Sequence, residues 1–323
     1  MTSIHEWVAE AGGLLHKRDL VARGAGDRDL TRAVREGEVR RPRRGWYSTF
    51  SPDDLRFRAA RAGGRLTGQA ALEIFGAWTW NRASTFSVSV PAHSSRLTVD
   101  RKAVVAYDPP RVERRGTASV VDPRDALVRA LAEVDFESAV ALWDWALACE
   151  WFSESALDEV AALLPLDRRG IAEWGDAGSD SVIESVGRVR LLREGHTIVT
   201  QHPVPGASKV DLVVDGTVAI ELDGREFHQD RFESDRRKDL AIVRQGWLVL
   251  RGSYSMVRYE WAKILAAVRS ALELHVRPLS RWNEARRSMP PAVTTWPRPQ
   301  GRRRLWRCRA SAGLRRVAEG LGA

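Results

Sequence analysis

Between Lys209 and His228 the chain reads KVDLVVDGTVAIELDGREFH, in which Asp211, Glu221 and Asp223 alternate with aliphatic residues and His228 follows. Carboxylates brought onto one sheet face repel one another and resist ionisation, so such a group implies a shared proton or a cation. Hard oxygen donors suit Mg2+ or Mn2+ better than Zn2+. By itself, a strand with Asp and Glu on its outer face is more often a solvated sheet surface. The neighbouring elements must decide between the two readings.

The pairing register determines whether the carboxylates meet. A three-residue loop, Asp215-Gly216-Thr217, with Gly216 at positive φ, sets Val214 against Val218 and Asp211 against Glu221. Val210, Leu212, Val214, Val218, Ile220 and Leu222 then share one face, and Asp211, Val213, Ala219, Glu221 and Asp223 share the other. A two-residue Asp-Gly loop shifts the pairing by one and drives Glu221 and Asp223 onto the apolar side, so the burial pattern selects the longer loop.

Upstream, Ser181 to Glu194 has helical periodicity, with Glu184 and Arg188 as an i, i+4 pair and Gly195 as its end. Thr197 to Gln201 reads as a strand and His202 to Gly206 as a proline-rich turn. Downstream, Arg231 to Gln245 is helical in pattern, Trp247 to Arg251 is an apolar strand, and Val257 to Leu274 a single final helix. The expected order is αβββαβ plus a helix. Asp235 and Asp239 read as helix-face charges.

That order, with Ser181-Val-Ile-Glu-Ser-Val-Gly-Arg188, Val210-Asp-Leu212, Glu221-Leu-Asp-Gly224, His228, Asp235-Arg-Arg-Lys-Asp239 and Gly246-Trp-Leu-Val-Leu-Arg251, resembles the PD-(D/E)XK nuclease superfamily. More narrowly it is similar to an actinobacterial domain of unknown function related to the very-short-patch (Vsr) mismatch repair endonucleases. The resemblance covers roughly residues 178–275 and implies a restriction-endonuclease-like core. It implies that Asp211 and Glu221 bind the divalent metal, and that a lysine two residues after the Glu helps to activate water. Position 223 is Asp instead. A lysine there would offset the charge of an attacking hydroxide, whereas an aspartate adds to it; the relatives also carry a non-lysine there with a downstream His. His228, whose ordinary pKa lies near neutrality, becomes the candidate general base. Glu184 or Asp223 would recruit a second ion, and Arg188, Arg236 and Lys238 would offset the carboxylates and hold flanking phosphates.

Residues 1–50 carry a different signal. Ile4 to Ala11, Lys17 to Arg23 and Asp27 to Glu36 read as three short helices, and Val39 to Thr49 as two short strands around Pro42 to Gly45. This is a winged helix-turn-helix pattern. Arg28, Arg32 and Arg35 share one face of the third helix, and the wing adds Arg40, Arg41, Arg43 and Arg44. A basic helix beside a basic wing suits a major groove and its phosphates, although such a stripe is often only a solvated face. Gly12-Gly-Leu-Leu15 through Gly45-Trp-Tyr47, with Leu66-Thr-Gly-Gln-Ala-Ala-Leu72, resembles the amino-terminal winged helix of AbiEi-type antitoxins over about residues 1–80. In residues 80–178, Phe86 to Val90, Leu97 to Val99 and Ala103 to Tyr107 read as strands. Asp122 to Leu131, Phe136 to Cys149 and Ser153 to Leu164 read as helices, and Trp143, Trp145, Trp151 and Phe152 as core.

The chain has 323 residues and a formal net charge of +9. Arg286 to Ala323 alone holds ten arginines and one acid, Glu319, so residues 1–285 balance at 41 basic against 41 acidic. The global charge reports a Pro/Arg-rich tail that reads as disordered and able to hold nucleic acid without sequence preference. Two cysteines make neither a disulfide framework nor a zinc site. No signal peptide or membrane span is legible, so a cytoplasmic protein without membrane contact is expected. There is no P-loop, dinucleotide fingerprint or Ser-His-Asp arrangement.

The expectation is therefore an α/β multi-domain protein. A winged-helix nucleic-acid-binding domain spans 1–80, a mixed α/β connecting domain 81–177, a nuclease-like αβββαβ domain 178–277 and a basic tail 278–323. Its expected function is that of a Mg2+- or Mn2+-dependent DNA endonuclease in repair or in defence against foreign DNA. The alternative is a non-catalytic DNA-binding regulator or antitoxin-like protein that retains the nuclease fold. RNA stays open as a substrate, and a homodimer is one way for such an enzyme to cut both strands.

Overall fold

The computed structural model describes residues 3–223 and 232–276, as a mixed α/β chain of two compact units that divide between Gly175 and Asp176. The first unit opens with α1 (Ile4–Glu10), β1 (Leu14–His16), α2 (Lys17–Ala22), α3 (Asp27–Arg35) and β2 (Trp46–Ser48). Ser3 and Glu6 start α1 with a reciprocal capping box. β1 pairs antiparallel with β2, Leu15 opposite Tyr47. Val8, Leu20, Leu30, Ala33, Val39 and Tyr47 close a small core. Because Leu30 and Ala33 face that core, Arg28, Arg32 and Arg35 are left exposed on α3. The expected strand before Pro42 is reduced to one bridge between Arg40 and Ser48. Pro42 has no N–H to extend a ladder, and Gly45 turns the chain at φ 80.

The same unit continues through α4 (Leu55–Ala62), β3 (Arg65–Thr67), α5 (Gly68–Ile74), β4 (Phe86–Pro91), β5 (Ala103–Asp108) and α6 (Pro110–Glu113). It ends with α7 (Pro123–Glu133), α8 (Phe136–Ala148), α9 (Glu154–Leu163) and a 3-10 helix over Leu166–Trp174. β3 pairs antiparallel with β4, and β4 pairs parallel with β5. The boundary expected near residue 80 thus falls inside this unit, between two paired strands. Leu97 to Val99 form no strand; they lie in the long connection that a parallel β4–β5 pair requires. Trp143, Trp145 and Phe152 are buried, and Trp151 packs edge-on against Phe75, as a core role requires.

The second unit runs α10 (Val182–Arg193), β6 (Ile198–Pro203), β7 (Lys209–Val214), β8 (Val218–Asp223), α11 (Phe232–Arg244), β9 (Leu248–Ser253), α12 (Tyr254–Tyr259) and α13 (Trp261–Val276). Its sheet has the order β6-β7-β8-β9, with the last pair parallel and α11 as the crossover. The hairpin register is the one that the burial pattern selects, Val214 against Val218 and Leu212 against Ile220. Asp215 as well as Gly216 adopts positive φ, 47 and 68, in the loop.

Both faces of the hairpin are covered, which changes the meaning of its polar side. On one face Leu212 and Leu222 meet α10 at Gly187, and Leu222 meets α13 at Ile264 across Gly252. On the other, Val213 and Ala219 pack with Ile242 of α11, and Val210, expected on the Leu212 face, belongs to their cluster instead. Asp211 and Glu221 share that second face, Glu221 buried beneath the helix and Asp211 half-buried. Two local expectations differ. His202 and Pro203 extend β6 and pair with Val210 and Lys209, His202 packing on Trp247. The final helix is broken at Glu260, whose φ of −130 ends α12 before α13 begins. Among the described residues no helix is long and apolar enough to cross a membrane.

Gly187 fixes how closely α10 approaches the sheet, because a Cβ there would lie 2.8 Å from Leu222 Cδ1. Gly187→Val should therefore overpack the contact and lower stability by about 2 kcal/mol, read by urea denaturation. An unchanged or higher midpoint would show that α10 has slack.

Candidate functional site

Glu184 lies in the first turn of α10, where Ser181 caps the helix and the helix dipole favours an anion. Its Oε1 accepts from the Ser181 hydroxyl at 2.7 Å. Its Oε2 accepts from the Asp180 N–H at 2.9 Å and from Gln201 Nε2 at 3.0 Å. The residue is buried, and burial followed by the charge of Asp211 pushes its carboxyl up to about 7.

Asp211 projects from β7 and accepts the Leu222 N–H on Oδ2 at 2.7 Å, just past the last ladder pair. Burial raises its pKa, opposed in part by that N–H and by Lys238. Glu221, on β8, is 5% exposed. Its Oε2 receives Lys238 Nζ at 2.5 Å, while its Oε1 is buried with no hydrogen-bond partner among the described residues. Burial, then Asp211, pushes its carboxyl up to about 7 in spite of Lys238. Arg251, opposite Glu221 in the β8–β9 register, places its guanidinium 2.7 Å from Asp239 and 3.5 Å from Asp223.

The structure thus draws Glu184 and Glu221 each into electrostatic reach of Asp211. Asp223 stays at the exposed rim beside Arg251. Asp239 is more than a helix-face charge, since it grips Arg251 through both Nε and Nη2. His228 and Gly224 lie outside the described residues. Arg236 is exposed, 3.7 Å from Asp239. Arg188 differs from the expectation of a phosphate-holding cation: it is 4% exposed, with Nε 3.9 Å from Asp176, because its position on α10 faces inward. Lys238, expected to offset the carboxylates and hold flanking phosphates, sits directly on Glu221. Its spacing carried the signal, for Lys238 and Ile242 are one turn apart on α11 and Ile242 is buried against the sheet. Nothing in the residue types marks Gln201 or Arg251.

On the first unit, Arg28, Arg32, Arg35, Arg41 and Arg44 are exposed. Arg32 pairs with Asp29 at 3.1 Å and Arg35 with Glu36 at 3.7 Å, which dilutes the stripe. Arg41 lies over Tyr47, and the half-buried Arg43 over Trp46 at 5.2 Å, with an Nε that has no hydrogen-bond partner among the described residues.

Among the described residues no three His, Cys, Asp or Glu side chains gather into a ready metal cage. By donor chemistry alone, Asp211 and Glu221 would suit a hard cation: they offer only carboxylate oxygens, burial raises the pKa of both, and Glu221 Oε1 has no partner among the described residues. No protein-family model matches the sequence, and no curated protein matches it. A solved structure similar to this chain is that of the RV2827C protein from Mycobacterium tuberculosis, with 17% identity and a TM-score of 0.31, covering 61% of this chain and 82% of that one. A likeness that loose carries no conclusion about fold or function.

The two carboxyls at about 7 against an ordinary 4.5 make the metal-free unit sensitive to pH. Their folded pKa is raised, so their stabilisation is complete below about 4.5 and is lost as pH rises through about 7. The unfolding midpoint of the metal-free chain should fall between pH 5 and pH 8. Asp211→Asn removes the charge that both carboxyls feel and should flatten that slope; an equally steep slope in the variant would refute the coupling.

Proposed function

We propose that the second unit is a Mg2+- or Mn2+-dependent phosphodiesterase acting on DNA as an endonuclease, and that the first unit holds the nucleic acid through α3. One observation carries the reading. Glu221 is buried with one oxygen on Lys238 and the other without a partner among the described residues, within reach of the charge of the half-buried Asp211. The counter-charge of Lys238 reaches one oxygen alone, and the other lacks the partner that a divalent ion would supply.

Asp211 and Glu221 would hold the ion. When bound, it polarises a phosphate oxygen and lowers the pKa of a coordinated water. Lys238 supplies the ammonium that the sequence lacks at position 223, reaching it from α11. From there it can stabilise negative charge on an incoming hydroxide or a phosphate oxygen while orienting Glu221 and favouring its ionised form. Arg251, anchored by Asp239, adds positive potential on the strand next to Glu221. Leu222 N–H fixes the Asp211 carboxylate, so the donor set is held by backbone as well as by side chains.

On supercoiled plasmid with Mn2+, wild-type protein should produce nicked and linear DNA, and Asp211→Ala or Glu221→Ala should abolish the products. Lys238→Met should lower the rate by about 10²–10³-fold while binding DNA normally. Undiminished cleavage by Asp211→Ala would refute the assignment.

A second reading is a DNA-binding regulator that uses the nuclease-like unit as a scaffold. It is favoured by the lack of a three-ligand cluster among the described residues and by the exposed arginines of α3. Both readings put phosphates on Arg28, Arg32 and Arg35. Each Ala substitution there should weaken DNA binding and reduce the slope of log K against log salt by about 1. An unchanged slope would remove α3 from the interface.

A further inference from the structure

Gln201 lies within β6 at a φ of 47, in the left-handed region that a residue bearing a Cβ occupies only against steric resistance. It also interrupts the ladder. Thr200 pairs with Leu212 and His202 pairs with Val210, whereas Gln201, between them and opposite Asp211 in the count, enters no pair. From this position Nε2 donates to Glu184 Oε2 at 3.0 Å and ties the strand to the start of α10.

Glycine would adopt the same backbone without resistance. A glutamine there is accounted for by what its side chain reaches, since strain of this kind persists where surrounding groups fix it for a purpose. A carboxamide is a suitable donor beside ionisable groups. It brings an N–H at any pH, adds no charge, and leaves the carboxylate free to meet a cation. The other donors to Glu184, the Asp180 N–H and the Ser181 hydroxyl, come from the helix's own N-terminal turn. Gln201 is thus the group that references Glu184 to the sheet bearing Asp211. We infer that Gln201 is a positioning residue whose left-handed backbone delivers its carboxamide to Glu184 and holds that carboxylate beside Asp211 for divalent-cation binding. The inference rests on the metal-dependent reading above.

The full-length chain separates the two. Mn2+ binding is titrated by the loss of the free-ion EPR signal, and thermal unfolding is recorded without metal, for wild type, Gln201→Gly and Gln201→Asn. Glycine relieves the backbone but leaves buried Glu184 one donor short, so the two effects offset and the unfolding midpoint should change little while the Mn2+ dissociation constant rises about tenfold or more. Asparagine tolerates the left-handed region but is one methylene shorter, so it should lose Mn2+ affinity similarly with little change in midpoint. A merely structural role would lower the midpoint in both variants. A glycine variant that binds Mn2+ within about twofold of wild type, or that melts earlier, overturns the positioning role and leaves the metal reading standing. A wild-type chain that binds no Mn2+ overturns both.

Discussion

Two buried carboxylates, Glu184 and Glu221, each within reach of the charge of the half-buried Asp211, constrain the whole second unit. Glu184 and Glu221 are each pushed to about 7 by burial and then by Asp211. Such a group is tolerable only if each member has fixed donors, and the fold supplies them from different elements. The start of α10 gives Ser181 and Asp180, β6 gives Gln201, β8 gives the Leu222 N–H, and α11 gives Lys238. The position of α11 over the sheet therefore serves two purposes at once. Ile242 packs the apolar face of the crossover, and Lys238, one turn earlier, meets Glu221.

The parts legible in the sequence are those in which residue type alone determines geometry. Alternation in Val210–Val214 and Val218–Leu222 fixed the hairpin register, because a slip by one would bury Glu221 and Asp223 among aliphatic side chains. Ser181, Gly195 and the intervening periodicity likewise bounded α10 to within a residue. What sequence patterning could not show is that the polar face is itself covered. An isolated strand with Asp and Glu on one side looks the same whether water or a helix lies over it, and only the placement of α11 distinguishes the two.

Charge counts illustrate a related limit. Residues 1–285 are formally neutral, so no net-charge argument favours nucleic acid for the folded units. Locally the arginines divide by environment. Arg28, Arg32 and Arg35 are exposed on α3, whereas Arg188 is enclosed and Arg43 is half-covered against Trp46. An i, i+4 spacing between Glu184 and Arg188 marks them as near neighbours on a helix, but not as a surface pair. Glu184 instead takes its donors from its N-terminal turn and from a strand, since buried polar atoms must be satisfied by whatever lies within reach.

Two left-handed non-glycine residues border this sheet, and comparing them shows how strain is distributed. Asp215, in the β7–β8 loop, has a φ of 47 and is held by the Thr197 N–H at 2.8 Å, the Thr197 hydroxyl at 2.9 Å and His196 Nδ1 at 2.8 Å. Those contacts close the hairpin turn against the start of β6, so the resistance at Asp215 is offset locally and serves the register. Gln201 has the same φ, but it sits inside a strand and its side chain leads to Glu184. Strain of the first kind stabilises the sheet that carries it. Strain of the second kind leaves β6 with a gap opposite Asp211 in exchange for a carboxylate held still, which is the distribution expected where a fold gives up local stability to preorganise a site.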